Sequence, residues 1–182
     1  MSKITTKQIV FSAMAIALAT VISVAIKLPS LPNGGSTTLF SMLIICLIGY
    51  WYGPKVSIIA AIAYGILQFI VGPYVVHPLQ VILDFPLAFG ALGLSGFFAN
   101  SKHGLIKGFL VGAGGRFIVH CISGVIFYTT YVGDFVGNVS AIWAGILYNM
   151  TYIVPEVILT LILLALPPVQ KAMGELKKLA LN

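Results

Sequence analysis

Residues Leu105–Tyr128 read LIKGFLVGAGGRFIVHCISGVIFY. At 1.5 Å per residue an α-helix over this stretch is about 36 Å long, more than the roughly 30 Å of a bilayer's hydrocarbon core. After Lys107 near its start, it holds a single permanent cation, Arg116, and one histidine, His120. The run is therefore read as a transmembrane helix. An ionised group at the bilayer centre costs at least about 2.5–3.5 kcal/mol, so each such group is a functional candidate by default.

The rest of the chain repeats the pattern. Apolar runs cover about 7–26, 38–52, 55–71, 78–98 and 139–166 as well as 105–128. They are separated by punctuating residues: Pro29, Pro32 and Gly34-Gly35, then Gly53-Pro54, Gly72-Pro73, the polar turn Asn100-Ser101-Lys102-His103, Gly133 to Gly137, and Pro167-Pro168. The run 38–52 is short for a full crossing. Of 182 residues, 59% are hydrophobic and 8% charged, against about 25% charged in an ordinary soluble domain; mean hydropathy is +1.07. The expected fold class is an all-α integral membrane protein, one domain over 1–182 with six transmembrane helices. Lys3 and Lys7 before Ala15-Ile16-Ala17 have features of a signal peptide, but the apolar run continues past that point and is read as the first span.

The net charge of +6 sits in short segments between apolar runs. That pattern orients a membrane protein and does not form a nucleic-acid face. Six spans place Lys3, Lys7, Lys55, Lys102, Lys107, Lys171, Lys177 and Lys178 on one side and Lys27 on the other, so both termini are expected in the cytoplasm. The tail 169–182 reads equally as an interfacial helix or a frayed end. Cys46 and Cys121 lie in apolar runs and are read as inert thiols, with no metal-ligand spacing. Gly112-Ala113-Gly114-Gly115 follows no strand, which removes a phosphate-loop reading. Small residues recur every four positions at Gly104, Gly108 and Gly112, read as packing within the chain. The rows Ala13, Ala17 and Ala15, Ala19 are read as a contact for a partner protein.

Depth sorts the embedded polar residues. By helix rise Asp84 lies roughly 9 Å, His120 roughly 12 Å and Asn149 roughly 15 Å from the outer ends of their helices. Three helices thus bring hydrogen-bonding groups to one outer layer, among Tyr74, Phe85, Tyr128, Trp143, Tyr148 and Tyr152. Arg116 and Glu156 lie deeper and are read as structural; an ion pair of Arg116 with Glu156 or Asp84 would lower the cost of both charges. Pro86 and Pro155 are expected to bend their helices. A carboxylate, a histidine, a carboxamide and aromatic faces suit a small, flat, nitrogen-rich cation.

Four stretches carry a family resemblance: Pro32-Asn33-Gly34-Gly35-Ser36-Thr37-Thr38, His77-Pro78-Leu79-Gln80-Val81-Ile82-Leu83-Asp84-Phe85, Arg116-Phe117-Ile118-Val119-His120-Cys121-Ile122-Ser123-Gly124 and Tyr148-Asn149-Met150-Thr151-Tyr152-Ile153-Val154-Pro155. The chain resembles the thiamine-specific S component of energy-coupling-factor (ECF) vitamin transporters of prokaryotes. The resemblance implies a six-helix, multi-pass plasma-membrane subunit that binds thiamine near the outer face. It also implies docking on a transmembrane scaffold subunit with two ATPases, which use the ATP; no cofactor is implied in this chain. By position, Asp84 would grip the aminopyrimidine with His120 and Asn149 beside it. Tyr128 would wall the thiazolium, Tyr74 and Phe85 match aromatic positions, Gly124 lines the site and Gly34-Gly35-Ser36 forms a lid. The helix 1 alanines match the docking surface. Ala144 and Phe85 depart from tyrosines common in relatives, which leaves a thiamine precursor or vitamin B6 open as ligand. A self-sufficient proton-coupled transporter and an intramembrane enzyme are the competing classes.

Overall fold

The computed structural model describes residues 4–26, 37–127 and 138–182, with the side chains of 138–141 excepted. Among the described residues the regular elements are all helical: α1 Thr6–Ala25, α2 Ser41–Tyr52, α3 Pro54–Val71, α4 Pro78–Phe98, α5 Gly104–Ile126, α6 Asn138–Ala165 and α7 Pro167–Leu181. Five of them (α1, α3, α4, α5 and α6) are long and apolar enough to cross a membrane. With 12 residues, α2 is only about 18 Å long. It is the core element, with Met42, Ile45, Cys46 and Ile48 fully buried.

The helix ends follow from local chemistry. Thr5 and Gln8 form a capping box at α1, Thr5 Oγ1 accepting from Gln8 N at 3.3 Å and Gln8 Oε1 from Thr5 N at 3.0 Å. Gly53 ends α2 and starts α3 at φ +80°, where a side chain is strained, and Pro54 is preset for the first helical position. Pro78 does the same for α4, with His77 Nδ1 accepting from Leu79 N at 3.1 Å.

The fourth helix changes winding three times. Residues Pro78–Ile82 are α-helical, Leu83–Leu87 form a π-turn, Ala88–Gly90 return to α, and Ala91–Phe98 wind as a 3₁₀-helix. The π-turn contains Pro86. Proline has no N–H to give, and the wider turn sends the Ala88 N–H back five residues to the Leu83 carbonyl. The 3₁₀ half lies between α2, α3 and α5, and small residues permit the approach. A Cβ at Gly93 would lie 2.5 Å from Ile58 Cα, and one at Gly108 2.6 Å from the Ser95 carbonyl.

The outer faces are apolar. On α1, Ile9, Val10, Met14, Leu18, Val21 and Val24 are 48–62% exposed, a continuous apolar surface that suits lipid. The opposite stripe of α1, Ser12, Ala15, Ala19 and Ser23, is buried against α2 and α3. This corrects the expected partner surface: Ala15 and Ala19 pack inside the chain, while Ala13 and Ala17 are exposed. The helical phase separates the two rows, which sequence spacing alone treats alike.

The tail is a helix laid over one end of the bundle. Tyr52 Oη donates to the Ala180 carbonyl at 3.1 Å, and Lys177 Nζ donates to the Ala99 carbonyl at 2.6 Å while standing 4.0 Å from the Tyr50 ring centroid. Partial burial there holds the Lys177 amine below the ordinary lysine range. Tyr52→Phe removes one hydrogen bond, worth about 1 kcal/mol. Amides of residues 176–182 are expected to exchange with deuterium roughly fivefold faster, measured by mass spectrometry on the protein in detergent.

Candidate functional site

Two helices bond Asp84 directly, and a third joins them through the histidine. The carboxylate leaves α4 within the π-turn, and its Oδ1 stands 3.2 Å from His120 Nδ1 on α5. Its Oδ2 accepts from Gln80 Nε2 at 2.7 Å. Gln80 is fully buried one helical turn earlier, and its Oε1 accepts from Val76 N at 3.1 Å. The glutamine therefore ties the carboxylate to the segment that enters α4. The i, i+4 spacing of Gln80 and Asp84 was the signal in the sequence for this contact.

His120 is joined to the sixth helix through Tyr152. The two rings lie edge to face with centroids 6.1 Å apart, and Tyr148 packs on Tyr152 at 5.8 Å. Tyr152 Oη donates to Asn149 Oδ1, and Asn149 Nδ2 donates to the Gly145 carbonyl at 2.8 Å. The expected outer layer of Asp84, His120 and Asn149 is thus one connected set, with Tyr152 as the link. Gly124 sits where α5 crosses α6: a Cβ there would lie 3.4 Å from Gly145 Cα and 3.7 Å from Asn149 Nδ2.

The aromatic candidates divide. Phe85 is half-buried and packs edge-on against Phe69 at 5.1 Å. Tyr74 is half-buried before α4. Trp143 is 59% exposed, beside the exposed Ile142 and Leu147. Tyr128, Gly34 and Gly35 lie outside the described residues. Thr37, the first described residue after Gly34-Gly35, is held to α6: its Oγ1 donates to the Tyr152 carbonyl at 3.1 Å.

The deeper charges find partners different from those expected. Among the described residues no ion pair joins Arg116 to Glu156 or to Asp84 within 4.0 Å; those present are His120–Asp84 and Lys178–Glu175. Arg116 is buried, its Nε lies 3.3 Å from His120 Nε2, and its guanidinium stacks over Phe89 at 4.2 Å. Glu156, also buried, accepts from Met42 N at 3.2 Å. That amide is in the first turn of α2, whose N-cap residue Phe40 supplies no side-chain cap. Glu156 thus caps a helix N-terminus across the bundle, where a negative charge is favourable.

A profile of the thiamine transporter protein family matches residues 9–175. The chain belongs to that family. Thiamine transporter ThiT of Bacillus subtilis is 32% identical over 152 residues, 75% of this chain and 77% of that protein. The ThiT of Lacticaseibacillus paracasei is 33% identical over 89 residues, 40% of this chain and 44% of that protein. A solved structure of ThiT from Listeria monocytogenes shares the fold at a TM-score of 0.58 and 21% identity, over 89% of this chain and 93% of that one. Membership of this family, with five apolar helices of membrane-crossing length, makes the chain a multi-pass protein of the bacterial cell membrane and a transport protein rather than an enzyme. The family match takes in Asp84, His120 and Asn149 together, since all lie within residues 9–175.

Proposed function

We propose that this chain binds thiamine at the Asp84–His120–Asn149 layer and serves as the S component of an ECF-type transporter. The observation that carries the reading is the Asp84 carboxylate, held by His120 and Gln80 with the Tyr152 ring against that histidine, in a chain of the thiamine transporter family. The aminopyrimidine of thiamine offers N–H donors, which a carboxylate accepts strongly. Its thiazolium is a flat cation that aromatic faces attract. Asn149, Gly124, Tyr74, Phe85 and Tyr128 complete the proposed surroundings, and Gly34-Gly35 the lid.

The proposed topology is one domain of six membrane passes, with α2 as the short one and both termini cytoplasmic. The arrangement of ends supports it: α7 touches both α1 and the end of α2, and reaches the end of α4 through Lys177. That end of the bundle carries Lys7, Lys55, Lys102 and Lys107, the excess expected of a cytoplasmic face. ATP would be hydrolysed by two partner ATPases acting through a scaffold subunit. The exposed Ala13 and Ala17 on the apolar outer face of α1 are the proposed contact with that subunit.

Titration of the purified protein in detergent, followed by the fluorescence of Trp51 and Trp143, tests the ligand. Thiamine is expected to give a saturable change at sub-micromolar concentration. Saturation by pyridoxine or a pyrimidine precursor with none by thiamine would overturn the assignment. Uptake in cells is expected only when an ATPase module is co-expressed; uptake without it would mark a self-sufficient, proton-coupled carrier.

A further inference from the structure

Arg116 stands one helical turn before His120 on α5, and its Nε–H points at His120 Nε2 from 3.3 Å. A guanidinium has only donors and does not deprotonate in proteins. Nε2 must therefore present its lone pair. A neutral imidazole has one N–H, which then sits on Nδ1, 3.2 Å from Asp84 Oδ1. The imidazolium form would aim a second N–H at the guanidinium, donor against donor and cation against cation.

The arginine is held in this pose. It is 6% exposed, it lies over the Phe89 ring, and Phe89 is itself wedged edge-on against the fully buried Tyr64 of α3 at 5.2 Å. Among the described residues, the charged and titratable groups around His120 are Asp84 from α4, Arg116 from α5, and Tyr152 with its neighbour Tyr148 and the deeper Glu156 from α6. Tyr152 gives its hydroxyl proton to Asn149, and Glu156 takes the Met42 N–H. Among the described residues, Asp84 and Arg116 bond the imidazole ring.

We propose that Arg116 is a positioning residue: it fixes His120 as the neutral Nδ1–H tautomer and so keeps Asp84 a pure acceptor for a ligand that donates N–H bonds. Donors run from Arg116 to His120 to Asp84, and from Gln80 to Asp84, all ending on one carboxylate. Its remaining lone pairs favour amino-substituted heterocycles and disfavour analogues that present a carbonyl or ring lone pair there. This specificity rests on the proposed function; the tautomer does not.

The tautomer is read directly by ¹⁵N NMR of histidine-labelled protein in detergent. His77→Asn and His103→Asn leave His120 as the last of the three histidines. His120 is expected with Nδ1 protonated and Nε2 bare from pH 5.5 to 8, with or without thiamine. Nε2 protonated, or an imidazolium, at pH 7 would overturn the inference with no further substitution needed. Arg116→Met is the second arm. Without the donor, His120 gains a proton as pH falls, pairs with Asp84 and withdraws it from the ligand. Thiamine affinity in this variant is expected to drop roughly tenfold between pH 8 and 5.5, while the wild type stays flat and Arg116→Lys restores the flat profile. A flat profile in a folded Arg116→Met protein would remove the positioning role. The expected tautomer together with no thiamine binding would keep the inference and defeat the functional reading instead.

Discussion

Asp84→Asn is expected to weaken thiamine binding roughly 100-fold. A hydrogen bond to a charged acceptor is worth about 1.5–3 kcal/mol, and each 1.4 kcal/mol is a factor of ten in affinity. The amide also faces two donors. Its oxygen can replace one carboxylate oxygen toward His120 or Gln80, but its NH₂ must then oppose the other, because both currently donate to Asp84. Fluorescence titration measures the loss, and the melting temperature of the detergent-solubilised variant shows whether it is folded. A folded variant that binds within threefold of wild type would return Asp84 to a purely structural role.

Gly65→Ala is the second large effect, and it acts without touching a ligand. Gly65 lies on α3 where the π-turn of α4 passes. A Cβ there would stand 2.5 Å from the Phe85 carbonyl oxygen, 2.9 Å from its carbon and 3.0 Å from Phe89 Cβ. The backbone atoms cannot rotate away as a side chain does. Alanine gains about 1 kcal/mol of helix propensity over glycine, but overpacking a close contact costs typically about 1–3 kcal/mol, so destabilisation wins. The displaced residue, Phe85, adjoins Asp84, and Phe89 carries Arg116. Gly65→Ala should therefore lower both the melting temperature and thiamine affinity. Ile66→Ala, at a residue 49% exposed on the same helix, is the control and should change affinity little. Equal affinities in the two variants would show that the π-turn tolerates displacement.

The shared layer was legible in the sequence because helix rise converts position into distance from a helix end. Asp84, His120 and Asn149 come from three helices, and their expected layer is the connected set seen in the structure. Gly53-Pro54 and Pro78 marked helix starts because their dihedral restrictions are local. Partners across the bundle were less legible. Glu156 meets a backbone amide of α2, which has no signature in side-chain identity. Arg116 bonds the histidine rather than a carboxylate, since stacking on Phe89 fixes its direction. Ala15 and Ala17 differ in burial by rotation about α1 alone. The role of Gln80 was written in its spacing from Asp84 but needed the carboxylate's direction to be read.

The mixed winding of α4 bears on how this segment can change length. Each residue of an α-helix turns the chain by about 100°, and the π-turn at Leu83–Leu87 absorbs the surplus of one residue. Deleting a residue there would restore regular α-winding with the portions on either side still in register, and Asp84, which lies within the wide turn, is the side chain that would be re-aimed. The contact of the carboxylate with His120 on α5 would be lost although every side chain concerned was still encoded. In the Pro78–Phe98 segment the number of residues is thus as much a determinant of recognition as their identity, and deletions are expected to be far less tolerated there than conservative replacements.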